Sequence, residues 1–316
     1  MATGVAAPIL RKKIKLPKAA VLGAAASTPA AAAILLPKGR KSTAVAVCAL
    51  QMMAYMAAYE MPNDDPEALQ ARVHIDYPVD IDKLLGGGKI PSQRLQESFA
   101  HKGQISRFER VLVWSHWLWF AVPHGTVAYT LWRRPERFPS AAVRMYAVFD
   151  LGALIYWTVP TAPPWYAAAN GHVEELDPNI IVGEFGHRYD SGAAPLPIRR
   201  IMLEYGEQFW GRRWNDLYAV LGGNPLAAMP SLHFASSFMA ARLLSEIGPI
   251  SGLVGWSYVS TLGLALVYLG EHYAVDVIAG GLLAEGVNRA AGPLSPTARS
   301  LARMLGALRE AANRPT

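Results

Sequence analysis

The sequence predicts an all-α, polytopic membrane protein: a bundle of six transmembrane helices with an extracytoplasmic cap of loops and helices. Three observations lead to this fold class. Of the 316 residues, 52% are hydrophobic and only 17% are charged, whereas about 25% of a typical soluble domain is charged. Several apolar stretches approach the roughly 20 residues that cross a bilayer as a helix. Basic residues stand between these stretches, as is typical of membrane topology.

Composition also excludes other classes of protein. The single cysteine, Cys48, excludes a disulfide framework and a cysteine-based zinc site. Nine Trp, thirteen Tyr and the long apolar runs argue against intrinsic disorder. The formal net charge is +6, but the basic residues are scattered between apolar runs rather than gathered on one face. We therefore expect no nucleic-acid partner.

Six stretches have the length and apolarity of a membrane span. The first contains only Gln51 and Glu60 as strongly polar interruptions, the second is rich in aromatic residues, and the third carries Arg144 and Asp150. The fourth is the shortest and most polar, the fifth has no charged residue, and the Gly and Ala of the sixth suit close helix packing. In chain order they are Thr43–Met61, Val111–Trp132, Ala141–Thr161, Ser231–Ile247, Ile250–Gly270 and His272–Ala290.

The remaining chain divides around these spans. Residues 1–42 form a basic, Ala-rich region in which the uncharged Ala19–Leu36 follows a basic stretch, as in a signal peptide. Because alanine is weakly apolar and Pro29 interrupts the run, we expect a flexible or interfacial region instead. Residues 43–110 hold the first span and an extracytoplasmic segment, residues 111–290 a transmembrane domain with a cap at 162–230, and residues 291–316 a basic cytoplasmic tail.

Lys and Arg near the span ends predict the orientation. Basic residues on both sides of the N-terminal region, the turn Arg133–Arg137 and the tail after Asn288 are all expected in the cytoplasm. The segments Pro62–Arg110 and Ala162–Pro230 then lie outside. A connection as long as Ala162–Pro230 is typical of a segment that shapes a functional site.

Two short stretches carry residues suited to chemistry, Ala228–His233 entering the fourth span and Tyr268–Asp276 entering the sixth. On a helix, His272 and Asp276 would lie at i and i+4 on one face. A carboxylate that holds one imidazole nitrogen leaves the other free as a nucleophile. The alternation of spans puts both histidines at the outer end, where one could attack while the other moves protons. Either motif alone could be an interfacial polar feature; together on one side they favour a function.

These residues resemble a known family. Pro-Ser-Leu-His, followed 39 positions later by His-Tyr-x-x-Asp, is similar to the second and third signature motifs of the type 2 phosphatidic acid phosphatase (PAP2) superfamily. Leu232 in place of the usual Gly, with Tyr268 and Tyr273 around the second histidine, resembles the inositol-phosphorylceramide synthase branch. Ala162–Trp165 resembles a short motif of bacterial membrane members, which implies a bacterial plasma membrane.

The resemblance implies a membrane enzyme that cleaves a lipid phosphate ester, of a phospholipid or a polyprenyl phosphate, through a phosphohistidine without metal or cofactor. His272 would be the nucleophile, Asp276 its orienting partner and His233 the group that protonates the leaving oxygen. Ser231, at the start of a helix with free backbone N–H groups, would help hold the phosphoryl oxygens. Leu232, Tyr268 and Tyr273 are the other motif residues expected to bind substrate. Residues 111–290 would form the catalytic domain.

The sequence differs from the family's motifs at the positions that hold positively charged residues. Arg134-Pro135 matches the end of the first motif, but its Lys position is Val127, and the Arg of the third motif is Leu266. The predicted topology also puts Arg134 on the wrong side of the membrane. Because phosphoryl transfer without a metal requires fixed positive groups, other cations are needed, and Arg212 with Arg213 is the preferred pair. The further candidates are Arg94, Arg188, Arg199, Arg200 and, more weakly, His187.

Other polar and aromatic residues have simpler interpretations. Arg144 is expected to anchor its helix at the membrane interface. Asp150, Glu285 and His116 are expected to form interhelical hydrogen bonds. The role of His124 is left open. We interpret Trp165, Trp210 and Trp214 as part of an aromatic belt at the membrane interface. Asp64-Asp65 and Glu174-Glu175 lack the spacing of metal ligands, and Gly86–Gly88 lacks the context of a phosphate loop.

Three functions stay open. Leu232, Tyr268 and a cap that excludes water favour transfer of a phospho-headgroup from a lipid to a hydroxyl acceptor. Hydrolysis, with water as the acceptor, is the close alternative. A non-catalytic lipid-binding or transport protein would explain the missing motif cations, but not the retained His–Asp pair. The oligomeric state is left open by the sequence.

Overall fold

The computed structural model describes residues 1–11, 13–100, 104–173, 197–211, 213–214 and 223–312. Five of the residues singled out from the sequence lie outside these ranges, namely Glu174, Glu175, His187, Arg188 and Arg212. The described residues are mostly helical and contain no strand, which agrees with the predicted all-α class. Two isolated parallel bridges join Thr161 to His74 and to Ala227.

The helices follow the apolar stretches of the sequence, with shorter helices between them. Short 3₁₀ helices at Met61–Asp64 and Leu118–Phe120 follow α3 and α7. In chain order the α-helices are α1 (Ala2–Leu10), α2 (Lys18–Leu35), α3 (Lys41–Glu60), α4 (Pro66–Gln70), α5 (Asp76–Leu85), α6 (Pro91–Phe99), α7 (Arg107–Trp117), α8 (Val122–Arg133), α9 (Phe138–Thr158), α10 (Pro164–Ala169), α11 (Ile201–Trp210), α12 (Leu232–Ile247), α13 (Pro249–Tyr268), α14 (Ala274–Ala290) and α15 (Ser295–Ala312).

Four of the described helices are long and apolar enough to cross a membrane: α2, α3 with its 3₁₀ extension, α9 and α13. The last three coincide with predicted spans. Helix α2 stands where a flexible or interfacial region was expected, and it packs along α3. Alanine has the highest helix propensity, and Pro29 lies within the helix without ending it.

The second predicted span is broken rather than continuous. Helix α7 ends at Trp117, a 3₁₀ turn spans Leu118–Phe120, and α8 begins at Val122 with Pro123 in its first turn. Proline has no N–H to donate and clashes with a preceding helical turn, so a new helix starts there. The break turns the Trp119 side chain inward, where its Nε1 donates a hydrogen bond to Ser236 Oγ at 2.8 Å.

Helix α12 is the centre of the bundle and packs against α8, α9, α13 and α14. Its buried residues Leu232, Met239 and Leu243 join Met145 and Phe149 of α9 in one core. The outer faces of the surrounding helices expose large apolar side chains instead. Examples are Ile250 (78% exposed), Leu253 (69%), Leu154 (59%) and Leu282 (69%). Apolar surface on this scale marks contact with lipid or another apolar surface.

Polar contacts identify one end of the bundle. Arg144 pairs with Glu246 at 2.6 Å and also donates to Asn288 Oδ1 at 2.9 Å, so it ties three helices together in addition to lying near a span end. Arg137 donates to the Glu246 carbonyl at 2.7 Å. His233 lies thirteen residues earlier on α12, about 20 Å away at 1.5 Å per residue. Arg134 is therefore far from the histidine motifs, as predicted.

The N-terminal region requires a correction. Arg11 pairs with Glu60 at 3.1 Å and with Asp64 at 2.8 Å, both at the C-terminal end of α3. Arg309 donates to the Leu36 carbonyl at 2.8 Å, at the other end of α2. The two basic stretches that flank α2 thus lie at opposite ends of α3, not at the same end, because α2 carries the chain back along α3.

Two of the predicted interhelical hydrogen bonds are present. Gln51 of α3 donates to Asp150 of α9 at 2.9 Å. Arg242 of α12 pairs with Glu285 of α14 at 2.8 Å. Both carboxylates therefore join neighbouring helices.

Candidate active site

The first motif forms the start of α12. Ser231 is the N-cap, with its Oγ accepting from the Phe234 N–H at 3.2 Å. The Ser231 N–H donates to the Asp276 carbonyl at 3.0 Å, so the two motifs are joined through their backbones. A Cβ at Gly280 would lie 2.5 Å from the Ser231 carbonyl oxygen. The small residue at position 280 is therefore what lets the two helices approach this closely.

The second motif corrects the expected geometry. His272 is not on a helix, because α14 begins at Ala274 with Tyr273 as its N-cap. Asp276 stands at the third helical position, where its Oδ2 accepts from the Tyr273 N–H at 2.9 Å. The same oxygen lies 3.4 Å from His272 Nδ1. The predicted contact exists, but it comes from a capping interaction at a helix start and not from one helical face.

The two imidazoles meet at the same end of the bundle, as predicted. His233 Nδ1 lies 3.1 Å from His272 Nε2. Since Asp276 faces Nδ1 of His272, Nε2 is the nitrogen of that ring turned towards His233. The His233 ring also packs on the indole of Trp119, with 4.1 Å between ring centroids. One imidazole is thus backed by a carboxylate and the other by an aromatic wall.

A second carboxylate holds the second motif from outside. Asp82 of α5 is fully buried, and its two oxygens accept from the Ala274 and Val275 N–H groups, both at 2.9 Å. Burial raises the pKa of Asp82 to about 6, although the two backbone hydrogen bonds act in the opposite direction. Sequence reasoning did not single out Asp82, since nothing in the pattern distinguishes it from neighbouring Asp80.

A cavity of about 720 Å³ opens beside the two rings. Its walls are mainly aromatic and apolar and include both His233 and His272, together with Leu232 of the first motif. Six of the nine tryptophans contribute to it, namely Trp114, Trp117, Trp119, Trp165, Trp210 and Trp214. The last three, expected to form an interfacial belt, line the cavity in the structure. They come from the segment 162–230, so the described part of that segment helps to enclose the cavity.

His116 also lines the cavity, and its predicted interhelical hydrogen bond is absent from the described residues. The ring is 7% exposed and its centroid lies 4.8 Å from that of His233. Nδ1 is buried without a hydrogen-bond partner in the described part of the chain. Motif spacing alone does not assign His116 to the site, because it lies in the second predicted span, far in sequence from both histidine motifs. His124, in contrast, stacks on Phe149 at 5.7 Å.

The candidate arginines differ in their surroundings. Arg199 is buried in ion pairs with Glu204 at 2.6 Å and Glu109 at 3.6 Å. Arg94 donates to the Gly87 carbonyl at 2.6 Å, close to an exposed turn, and Arg213 is exposed.

Arg200 is the best placed of the described candidates. Its guanidinium lies 4.2 Å from the Trp165 ring centroid and 3.7 Å from Glu271, and both of these residues line the cavity. Burial raises the pKa of Glu271, and the charge of Arg200 opposes that shift. The Arg200 guanidinium therefore lies next to Glu271, the residue that precedes His272. The sequence analysis preferred Arg212 and Arg213 to Arg200 for this role.

The tyrosines of the second motif have other contacts. The Tyr268 hydroxyl donates to Glu109 Oε1 at 3.0 Å, and the side chain is fully buried. Tyr273 is fully buried as well. Among the described residues the cavity walls include neither tyrosine, nor Ser231. A role for these three in substrate binding stays a prediction.

The chain is similar to inositol phosphorylceramide synthases of three fungi. It is 30% identical to the inositol phosphorylceramide synthase of Candida albicans over 133 residues, which are 42% of this chain and 25% of that protein. It is 28% identical to the inositol phosphorylceramide synthase catalytic subunit of Schizosaccharomyces pombe over 174 residues, 52% of this chain and 37% of that protein. The corresponding subunit of Saccharomyces cerevisiae is 27% identical over 132 residues, 42% of this chain and 29% of that protein. The chain thus spans well under half the length of these relatives.

No solved structure gives a significant match to the chain. The sequence pattern of the PAP2 superfamily matches residues 91–287. This range starts at α6, whereas the motifs predicted a catalytic domain that starts at residue 111. It contains His233, His272 and Asp276. Since it covers more than half of the chain, the chain belongs to the PAP2 superfamily, with inositol phosphorylceramide synthases among its relatives.

Proposed function

We propose that this protein is a membrane lipid phosphotransferase, which moves a phospho-headgroup from a lipid donor to a hydroxyl acceptor through a phosphohistidine on His272, without a metal. One observation carries the proposal. The Nε2 atom of His272 and the Nδ1 atom of His233 lie 3.1 Å apart on the wall of an apolar cavity. Asp276 lies behind the first ring.

In the first half-reaction, His272 Nε2 attacks the phosphorus of the donor. A P–N bond forms, the P–O bond to the donor breaks, and the leaving oxygen takes a proton from His233 Nδ1. The imidazole of His272 becomes positively charged as it attacks. Asp276 stabilises that charge and keeps the proton on Nδ1, so that Nε2 is the attacking atom.

In the second half-reaction, a hydroxyl acceptor occupies the position of the leaving group. Its proton passes to His233 Nδ1 while its oxygen attacks phosphorus, and the P–N bond breaks to restore His272. Fixed positive charge stabilises the phosphoryl oxygens in both steps. We assign this role to Arg200, which contacts cavity residues Trp165 and Glu271; a contribution from Arg212 and Arg213 stays a prediction.

The cavity supports a lipid substrate. Its walls extend from the histidines to Met56 of α3 and Phe120 of the helix break, which are 37% and 48% exposed on the outer apolar surface. An acyl or polyprenyl chain could enter between these residues while the phosphate reaches the histidines. Aromatic walls also limit water around the intermediate, which favours an alcohol acceptor over hydrolysis. The names of the fungal relatives point to the same class of reaction.

We further propose that the site faces the extracytoplasmic side. The six predicted spans correspond to α3, α7 with α8, α9, α12, α13 and α14, with α2 as an additional candidate span. The histidines lie at the end of α12 away from Glu246, and the basic tail follows the other end of α14. Because basic segments stay in the cytoplasm, the histidine end and the cap at 162–230 would lie outside.

Cysteine labelling tests the orientation. In a Cys48→Ala background, Leu84→Cys on α5 (83% exposed) lies near the histidine end, and Leu301→Cys on α15 (55% exposed) lies in the tail. A membrane-impermeant maleimide applied to intact cells should label position 84 and spare position 301. The reverse pattern would place the site in the cytoplasm.

Trapping the intermediate tests the reaction. Purified protein is incubated with phospholipids or polyprenyl phosphate labelled at phosphorus and then denatured rapidly. We expect an acid-labile, base-stable phosphoprotein that is absent from His272→Ala and chases into a product when a lipid alcohol is added. Release of only water-derived products with acceptor present would make the protein a phosphatase. A wild type that neither labels nor turns over any lipid phosphate would leave a binding or transport protein.

A further inference from the structure

We infer that His116 is a third substrate-contacting imidazole, whose Nε2–H donates a hydrogen bond to an oxygen of the phosphoryl group in transit. The inference rests on the proposed function, because it assigns a role in that reaction. It would also supply part of the polar stabilisation that the family obtains from motif cations, whose positions are Val127 and Leu266 in this chain. Both of those side chains are buried and apolar.

The position of His116 is fixed from both ends of α7. At the start, Ser106 and Glu109 form a capping box with bonds of 3.2 and 2.6 Å. Near the end, the Tyr258 hydroxyl donates to the Ser115 carbonyl at 3.0 Å. The helix then breaks at residue 118. A side chain held this firmly on a cavity wall is pre-organised for a ligand.

The burial of the ring selects its tautomer. Nδ1 has no hydrogen-bond partner in the described part of the chain and is shielded from solvent. A proton on Nδ1 would therefore be a buried donor without an acceptor, and orphaned buried N–H groups are rarer than under-satisfied acceptors. The neutral form with the proton on Nε2 avoids this, and since His116 lines the cavity, we assign Nε2 as the nitrogen that meets a ligand there. His116 thus presents a donor there.

A neutral donor suits this place better than a cation would. The His116 ring lies 4.8 Å from His233, which must take up a proton in every cycle. A fixed positive charge at that distance would oppose protonation of His233. An uncharged N–H still stabilises negative charge as it develops on the phosphoryl oxygens, and removing one such pre-organised donor slows typical enzymes about 10²- to 10³-fold.

Two substitutions separate the donor from the shape of the side chain. His116→Gln keeps an N–H at similar reach, while His116→Leu fills similar space without a donor. The test measures single-turnover formation of the phosphoenzyme with the labelled lipid that phosphorylates the wild type. We expect about a 10²-fold loss in the Leu variant and a smaller loss, within about 10-fold, in the Gln variant.

A phosphorothioate version of the same lipid supplies a readout that packing would not change. Replacing one non-bridging oxygen by sulfur weakens the hydrogen bond from Nε2–H. The rate ratio between oxygen and sulfur substrates should therefore shrink in His116→Leu, and for a phosphodiester donor it should do so for one diastereomer only. His124→Leu is the matched control, since that imidazole lies on the other half of the same broken span and stacks on Phe149. It should leave rate and ratio unchanged.

The outcomes distinguish this inference from the function on which it rests. A wild type that forms no phosphoenzyme overturns the proposed function itself. A wild type that does form it, with unchanged rates and thio ratios in both His116 variants, overturns the inference and leaves the function standing. If His116→Leu does not fold, the thio ratio of His116→Gln decides, because a weakened donor must still alter it.

Discussion

Asp82 offers the most quantitative test of how the nucleophile is held in place. It lies on α5, outside the region matched by the family, yet it accepts hydrogen bonds from the first two backbone N–H groups of α14. These amides follow His272 by two and three residues. Removing the carboxylate therefore acts on the backbone that sets the distance between His272 and His233, without touching either ring.

The expected magnitude follows from the two bonds. Asp82→Ala leaves two buried N–H groups unpaired at about 1–3 kcal/mol each, so we expect a loss of about 2–6 kcal/mol in the free energy of unfolding at pH 5. In the protein that remains folded, turnover should fall about 10- to 10²-fold, since displacements of about 1 Å have effects of this size. The substrate KM should change little, because Asp82 is not among the described residues that line the cavity.

The same residue predicts a pH dependence. Burial raises the pKa of Asp82 from 3.8 to about 6 in the folded protein. The folded state therefore binds more protons than the unfolded state between about pH 4 and pH 6, and stability must fall as the pH rises through this window. At 1.36 kcal/mol per pKa unit the total is at most about 3 kcal/mol. Asp82→Asn cannot titrate and should lose this slope.

Thermal unfolding in detergent, followed by tryptophan fluorescence from pH 4 to pH 7.5, measures both effects. Asp80→Asn is the matched control, because Asp80 is exposed on the same helix. The difference in apparent Tm between wild type and Asp82→Asn should change across pH 4–6, while Asp80→Asn should run parallel to wild type. Parallel curves for all three proteins, or full activity in Asp82→Ala, would refute the reasoning.

Three further predictions concern the second motif and the reaction. Asp276→Asn should fold but lose turnover about 10³- to 10⁴-fold, because His272 loses the charge that selects its tautomer; normal activity with an unchanged circular dichroism spectrum would contradict this. Gly280→Ala should lower both Tm and activity, since its Cβ would meet the Ser231 carbonyl oxygen at 2.5 Å, whereas Gly286→Ala, where a Cβ would meet nothing within 4 Å, should not. EDTA should leave turnover intact; inhibition reversed by a divalent cation would mean that a metal takes part.

The bundle and the histidine pair could be predicted because each depends on a local property of the sequence. Apolar length marks α3, α9 and α13, and alternation of spans brings the starts of α12 and α14 to one end. The contact between His272 and Asp276 was predicted for the wrong reason. A separation of four residues joins the two groups on a helix, but here it joins them across a capping box, which the residue types around Tyr273 do not reveal.

Contacts between segments far apart in the chain could not be predicted from the sequence. Asp82 accepts a hydrogen bond from the Ala274 N–H, 192 residues later in the chain. The residues around either position do not indicate this contact. The inward position of Trp119 follows a helix break at residues 118–120, which Pro123 signals only indirectly in the sequence. The direction of α2 along α3 is accompanied by ion pairs of Arg11 with Glu60 and Asp64. In each case tertiary packing decides which of several acceptable local structures forms.

The arrangement separates the proposed chemistry from the choice of substrate. The His233 imidazole lies at a helix start and the His272 imidazole just before one, and the two starts are joined backbone to backbone, from the Ser231 N–H to the Asp276 carbonyl. A change at this junction would alter the attack on any donor alike. The aromatic walls, in contrast, come from the broken span and from the segment 162–230, which can vary without moving that junction. Substitutions such as Trp210→Ala should therefore change KM and the choice of lipid or acceptor more than the rate of the phosphoryl step, whereas changes at Gly280 should slow that step for every substrate.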